Sequence, residues 1–474
     1  MAAACRASET LSDSQIELPD HPLLHLNSCP HSDNLSVDHG AEPDFGEPFK
    51  ECRMRVCREI AILRLTPHFH REGSWPVAFD PVGGLQIQTF ALTRGLDELG
   101  IAQTVATSHI PGSRRRQPFF ERAELVSLGP WLPRFLAGPL LGLGWFLGIL
   151  RMLATNKRRH DLIHIHYNHS VWCRILAILL SRTRLPVVVS LNTTLWGGLR
   201  QALRLEGSPL DVTLWIERLA LKRVARVVAL TEGAAHYAET KLHVPAGRII
   251  VVPDAVAVDE FQAGLKQHAA DIFRTRHDIP EDWRVVCYVG RISEEKGWRD
   301  LPEFVEAFSR RKVFLLICGD GPDRSKLERA FHRRRLGSGW AITGFVPPAE
   351  VRQTMQIAEV LILPSQREVF GSVLLEAMAS GLPAVAYGVG GIVDVAGQPP
   401  AVSLARAGDP NDLLRRVFAL LDDVGAAEEL ASRGRARVKN FAIERSVSLT
   451  GSLYQGMLCE LRRRSFDCLS LPLK

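Results

Sequence analysis

Paired cysteines are the plainest lack in this sequence. The nine cysteines, Cys5, Cys29, Cys52, Cys57, Cys173, Cys287, Cys318, Cys459 and Cys468, form no C-x-x-C pair and no His/Cys cluster, and their number is odd. Such spacing excludes a disulfide-framed module and a thiolate zinc site, and it leads to the expectation of free thiols in a reducing cytoplasm. A secretory leader is also unexpected, because the first residues are polar rather than basic and then apolar. So is a membrane-spanning run. The uncharged stretch Phe135–Leu150 falls short of the ~20 apolar residues a bilayer requires, and Pro139 and several glycines weaken it as a free-standing helix. It reads as a buried helix. Charge of one sign is scarce: 58 Lys and Arg stand against 52 Asp and Glu, a net +6 that suits phosphate-bearing substrates but not a dedicated nucleic-acid binder.

What is present is enough apolar sequence for two cores. At 474 residues and 46% hydrophobic, the chain is too long for one compact domain. Residues 1–57 hold Ser, Asp, Pro and His in no period that would bury a face, so they are expected to be a disordered extension, with Met54 a candidate start of the functional chain. Short β-branched runs then alternate with helical stretches: Ile60–Leu65, a helix near Leu85–Leu99, then Thr104–Thr107, Leu162–Ile165, Val187–Leu191 and Val227–Ala229. After a polar connection over Gln262–Arg276 the alternation restarts with Val285–Val289, Phe314–Cys318, Val360–Leu363 and Ala384–Tyr387. Strand and helix in turn mean parallel sheets covered on both faces. The expected fold class is α/β, with one doubly wound domain over 58–257, a second over 277–440, and a helical segment over 441–474 that crosses back to the first. Ligands of such sheets sit beyond the carboxyl ends of the strands, so the loops there are where chemistry belongs.

The sharpest constellation is Glu368 and Glu376, separated by seven residues in REVFGSVLLEAMASGLP. Gly371-Ser372 reads as a helix start, Val373–Ala379 as the helix, and Gly381 with Pro383 as its stop. Glu368 then lies on the loop and Glu376 on the helix, and the backbone N–H groups at Phe370 and Gly371 are free for sugar hydroxyls or phosphate oxygens. Two carboxylates so spaced can grip vicinal hydroxyls of two rings. Upstream, VVCYVGRISEEKGW places Arg291 directly after a strand and Lys296 at the start of the next helix. A guanidinium and an ammonium at that edge form a clamp for a diphosphate and stabilise the charge of a departing nucleoside diphosphate. Either cation alone reads as surface decoration; all four residues together do not.

Other signals are weaker. Gly83-Gly84 precedes a helix and lets a backbone approach phosphates, although a Gly-Gly turn is more often only a turn. The glycines of Cys318–Pro322 read as a turn after a strand. DLIHIHYNHS carries His164, His166 and His169, the first two on one strand face, with no carboxylate or thiol to complete a metal site. They read as satisfied or acceptor-facing histidines. The triplets Arg114–Arg116, Arg333–Arg335 and Arg462–Arg464 read as solvated faces.

From Ile60 to Tyr454, on GRISEEKG, the E-x7-E pair and Gly83-Gly84, the sequence resembles the retaining GT-B glycosyltransferases of the family that includes sucrose synthase-like and phosphatidylinositol mannosyltransferase-like enzymes. LRLTPHFHREGSWPVAFDPVGGLQIQ looks most like the aminocyclitol glycosyltransferases that act on 2-deoxystreptamine. The resemblance implies two Rossmann-like domains facing each other across a cleft, a UDP-sugar donor and a small aminocyclitol acceptor. It implies that Arg291 and Lys296 bind the diphosphate, Glu376 the ribose, and Glu368 with main-chain groups at Phe370 and Gly371 the transferred sugar, while Gly83-Gly84 closes over the phosphates. His166 and Asn168 are candidates for the acceptor side. No metal or cofactor is implied, because Arg291, Lys296 and helix N-termini do the work of a divalent cation, and no carboxylate base is implied, because the leaving diphosphate itself takes the acceptor proton. Three positions depart from the family pattern: Asn192, a candidate donor-binding residue, stands where a histidine is usual and alters a contact near the donor sugar's primary hydroxyl or the reaction centre, Asp254-Ala255 stands where Asn-Gly is usual, and Asp394 where Glu is commoner. Three rival readings stay open: an epimerase converting the donor without an acceptor, a transferase serving a lipid-borne acceptor at a membrane through Phe135–Leu150, and a non-catalytic nucleotide-sugar binder.

Overall fold

The computed structural model describes residues 60–67, 69, 84–109, 114–129, 138–155, 160–167, 170–193, 212–262 and 267–469. The 1–57 extension with Met54, and Gly83, Asn168 and His169, lie outside them. The first sheet holds eight strands: β1 (Ala61–Leu65), β2 (Ala102–Ser108), β3 (Arg116–Pro118), β4 (Ala123–Leu128), β5 (Leu162–His166), β6 (Val187–Ser190), β7 (Arg226–Ala229) and β8 (Ile249–Val251). Their order is β3-β4-β2-β1-β5-β6-β7-β8. All neighbours are parallel except β3, which runs antiparallel at the edge beside β4, a departure from the wholly parallel sheet expected. A three-residue strand with Pro at its end reads as loop in sequence, and it is tolerated at an edge where one side needs no ladder. Between and after the strands of the two sheets run helices α1 (Gly84–Glu98), α2 (Gly138–Thr155), α3 (Val171–Leu180), α4 (Glu232–Thr240), α5 (Gln267–Arg276), α6 (Ser372–Ser380), α7 (Gly391–Ala396) and α8 (Ile443–Leu469), among others.

Alternation along the strands sends side chains to two cores. Leu63, Leu65, Ile163, Ile165, Val187 and Val189 face one side, where Trp145 and Ile149 of α2 and Cys173 and Leu176 of α3 cover them. The described part of the Phe135–Leu150 run, from Gly138, thus supplies a core helix, and no helix among the described residues is long and apolar enough to cross a membrane. Ile62, Leu162, Val188 and Val228 face the other side, where α8 lays down Leu453, Tyr454 and Met457. Burying side chains of this size contributes about 1.5–3 kcal/mol each, which is why the C-terminal helix returns to the first sheet. An Arg226–Glu460 pair at 2.9 Å adds to that docking.

The second sheet comprises β9 (Arg284–Val289), β10 (Val313–Cys318), β11 (Trp340–Gly344), β12 (Val360–Leu363), β13 (Ala384–Tyr387) and β14 (Ser403–Ala405), all parallel, in the order β11-β10-β9-β12-β13-β14. Strand order reverses between β9 and β12, and in the first sheet between β1 and β5, so each sheet opens a crevice there. Two segments cross between the sheets side by side: Val256 pairs in parallel with Ala442, and its N–H donates to the Phe441 carbonyl at 2.9 Å. The Gln262–Arg276 connection is not merely polar, because α5 within it buries Phe273 against Ile279, Val285 and Phe314. One buried apolar position per turn is too thin a stripe to stand out in sequence. The thiols of Cys287 and Cys318 are free and buried as expected, and Cys173 is buried in the first core, but Cys459 is disulfide-bonded. Spacing along a chain does not reveal which cysteines a fold brings together.

Candidate active site

The crevice of the second sheet is built by the loops that follow β9 and β12. After β9, Arg291 leads into a single 3-10 turn, Glu294–Lys296, rather than a full helix, so Lys296 ends a turn and does not begin a helix as expected. Gly297 follows with φ 74°, and a Cβ there would overlap the Pro364 carbonyl oxygen. Only glycine lets the two loops close so tightly. Lys296 Nζ is thereby held 2.6 Å from Glu368 Oε2, with the two side chains 26% and 11% exposed. Arg291 is held separately: its guanidinium donates to Glu295 Oε1 at 2.7 Å, Ser293 Oγ donates to the same oxygen at 2.7 Å, and Tyr288 OH donates to the Arg291 carbonyl at 2.9 Å. Burial raises the Glu295 carboxyl, but the hydrogen bonds from Arg291 and Ser293 outweigh it and bring the pKa down to about 2. Glu295 also accepts, through its backbone carbonyl, from the Gln366 N–H at 2.9 Å. It is the keystone between the loops, and nothing in the sequence distinguishes it from its neighbour Glu294.

Beyond Glu368 the chain enters α6, flanked by Gly371 and Gly381, both in left-handed conformation. Phe370 is buried and packs edge-on against Phe441, so its side chain anchors the loop while its main chain stays at the crevice. The loop after β13 backs this arrangement, because the Gly391 N–H donates to the Glu368 carbonyl at 3.1 Å and a Cβ on Gly390 would overlap the same oxygen. Glu376 lies in the second turn of α6, half-buried, and burial pushes its carboxyl up to about 7 against the pull of Arg352.

The first sheet approaches from the other side. Helix α1 begins at Gly84, and a Cβ there would sit 3.4 Å from Ser372 Oγ, so the first turns of α1 and α6 face each other. Ser372 Oγ donates to Asp254 Oδ2 at 3.1 Å, and Gln88 of α1 exchanges two hydrogen bonds with the Ala255 backbone, one of them at 3.0 Å. Asp394, in α7, accepts from the Gly233 N–H at 3.0 Å at the start of α4. The acidic residue of the glycine-rich loop therefore bridges the two sheets' domains.

Beneath these contacts lies a polar pocket of about 40 Å³ whose walls include His164, His166, Ser190, Asn192 and Asp254. The two imidazoles stack 4.2 Å apart, on one face as alternation requires. His164 hydrogen-bonds to Tyr454 OH at 2.6 Å and Ser190 Oγ at 2.8 Å. The guanidinium of Arg64, itself buried and bonded to Thr93 and Gln103, donates to His166 Nε2 at 3.0 Å. Burial, then neighbouring positive charge, lowers both histidines well below the usual range. They are neutral, satisfied histidines, and no group of three metal-ligating side chains occurs among the described residues. Of the residues singled out in sequence, Arg291, Lys296 and Glu368 come together with the start of α6 and Gly84. His166 and Asn192 share the second pocket, and Gly83 and Asn168 fall outside the described residues.

Paired cations, a carboxylate and two facing helix N-termini can hold a diphosphate with its sugar and nucleoside. Comparison with known proteins gives the family. Residues 270–437 match the model of the glycosyl transferases group 1, and residues 82–260 that of glycosyltransferase family 4. The chain is 32% identical to a 2-deoxystreptamine N-acetyl-D-glucosaminyltransferase of Streptomyces fradiae, over 75% of this chain and 87% of the relative. It is 30% identical to a 2-deoxystreptamine glucosyltransferase of Streptomyces kanamyceticus, over 79% and 99%. Among solved structures it resembles sucrose-phosphate synthase from Thermosynechococcus elongatus, with a TM-score of 0.71, 21% identity and coverage of 85% of this chain and 100% of that one. The chain therefore belongs to the group 1, family 4 glycosyltransferases of GT-B fold, alongside relatives named as 2-deoxystreptamine glycosyltransferases.

Proposed function

We propose that this glycosyltransferase moves a hexosyl or N-acetylhexosaminyl group from a UDP-sugar to a hydroxyl of 2-deoxystreptamine or a related aminocyclitol, with retention of anomeric configuration, in the cytoplasmic synthesis of an aminoglycoside antibiotic. The observation that carries the donor half is the Lys296–Glu368 contact of 2.6 Å at the point where strand order reverses, with Arg291 on the same loop. The names of the relatives support the acceptor half.

In this reading Arg291 and Lys296 take the diphosphate, and Lys296 is shared between phosphate and Glu368. Glu368 and the main chain at Phe370 and Gly371 hold the sugar hydroxyls, Glu376 holds the ribose, and Gly83-Gly84 covers the phosphates from the other side. As the bond between the anomeric carbon and the diphosphate oxygen breaks, its electron pair passes to the diphosphate. The two cations and the first turn of α6 stabilise that charge. The acceptor oxygen bonds to the same face of the anomeric carbon, and its proton passes to the leaving diphosphate, so no protein base is needed. The paired crossings at Val256 and Ala442 are the hinge about which closure excludes water. No metal has a role in this scheme. Two measurements test it: the product's anomeric configuration, expected to match the donor's, and activity after EDTA treatment, expected to persist. Inversion, or loss with EDTA that Mg²⁺ restores, overturns the corresponding part.

A further inference from the structure

The pocket at the edge of the first sheet has an unbalanced set of hydrogen-bonding groups. Most of its polar walls are already engaged: Gln88 with the Ala255 backbone, Ser190 with His164, His166 with Arg64, and Ser446 with the Pro253 carbonyl. Acceptor capacity is left over at two places. Asn192 Oδ1 is buried with no hydrogen-bond partner among the described residues, and the Asp254 carboxyl, which takes one hydrogen bond from the Ser372 hydroxyl, has lone pairs to spare. Among the described residues no Lys or Arg lines the pocket, since Arg64 stands behind His166 and is not one of its walls.

The half-buried carboxyl and the bare amide oxygen are both acceptors, and one ammonium group, with three donors and a positive charge, satisfies them together. The pocket, about 40 Å³, has room for an amino group of a ligand. From this geometry we propose that Asp254 anchors an ammonium group of the acceptor, with Asn192 accepting a second of its hydrogen bonds, and so selects aminated over neutral cyclitols. The inference rests on the aminocyclitol reading above and names the residue that enforces it. Burial pushes the Asp254 carboxyl up to about 7, partly offset by the Ser372 hydrogen bond, so in the chain alone it shares a proton near neutrality. A bound ammonium takes that proton's place. The other titratable groups facing the pocket, His164 and His166 from β5 with Tyr454 and Arg64 behind them, do not compete: the histidines are neutral and Tyr454 is raised by burial to about 12.

The test compares kcat/KM for 2-deoxystreptamine and for a cyclitol carrying hydroxyls in place of its amines, in the wild-type chain and in Asp254→Asn. The wild type is expected to prefer the aminated acceptor at least 10-fold, and Asp254→Asn to shrink that preference by about 10- to 100-fold, the size of one charge-assisted hydrogen bond. The wild-type ratio alone overturns the proposal if it lies near one, whether or not the variant folds. Loss of the same factor with both acceptors also overturns it and leaves the function standing. A wild type that glycosylates neither cyclitol removes the functional reading and this inference with it.

Discussion

In the proposed mechanism, replacing Lys296 with methionine deletes one positive charge from the place where the leaving diphosphate gains negative charge, and the geometry of the site sets the size of the expected effect. The ammonium is pinned 2.6 Å from Glu368 Oε2 by a turn that Gly297 closes, so it needs no reorganisation as the sugar bond breaks. With an effective dielectric of about 20, a unit charge at roughly 4 Å is worth about 4 kcal/mol. Loss of one preorganised donor at a developing oxyanion lowers kcat by about 100- to 1000-fold, or about 2.7–4 kcal/mol, in the same range. Lys296 is partly exposed, which favours the lower end. We expect Lys296→Met to lower kcat at least 100-fold in a UDP-release assay at saturating acceptor, with the thermal midpoint changed little. Because Lys296 also orients Glu368, the double variant with Glu368→Gln is expected to lose less than the sum of the single losses, by about 0.5–3 kcal/mol. A kcat within 5-fold of wild type would refute the assignment of Lys296 to the leaving group, and strictly additive losses would refute its coupling to Glu368.

Other parts of the fold give three further expected outcomes. Gly297→Ala forces a Cβ against the Pro364 carbonyl and destabilises the protein by about 2 kcal/mol or more, visible as a drop of roughly 4–8 °C in the thermal midpoint; an unchanged midpoint contradicts the close approach. Arg174 and Glu217 form a fully buried pair at 3.1 Å, so Glu217→Gln costs about 3–5 kcal/mol by denaturant titration, and a cost below 1 kcal/mol would show the pair to be dispensable. The Glu376 carboxyl, raised by burial from an ordinary 4.5 to about 7, binds its proton more tightly in the folded chain. Its contribution to stability is fully present below pH 4.5 and is lost as pH rises through 7, so the fall in thermal midpoint over that window is expected to be shallower in Glu376→Gln than in wild type.

Most of the frame is legible in the sequence because buried parallel strands such as VVCYV and VFLLIC are continuous apolar runs with turn residues after them. The cluster proposed to take the donor is legible for the same reason: Arg291, Lys296, Glu368 and Gly371 lie in the loops that follow such strands, and their chemistry is local. What escapes is whatever depends on distant partners. Asp254 registers as a departure from a pattern, but its meeting with Ser372 across 118 positions, and that of Gln88 with Ala255 across 167, leave no trace in either segment. Arg64 hides within a strand, and only the fold reveals that it occupies His166. Strands β3, β4, β8, β11 and β14 and the helix α5 are missed because none carries a long apolar run or a clear period in sequence.

The functional assignment is tested most directly by incubating the purified chain with a panel of UDP-sugars, with and without 2-deoxystreptamine, and following UDP release and product mass together. UDP release and an aminocyclitol heavier by one hexosyl or N-acetylhexosaminyl unit are expected only when donor and acceptor are both present; conversion of the donor without acceptor, or donor binding with no glycosylated product, would contradict the assignment.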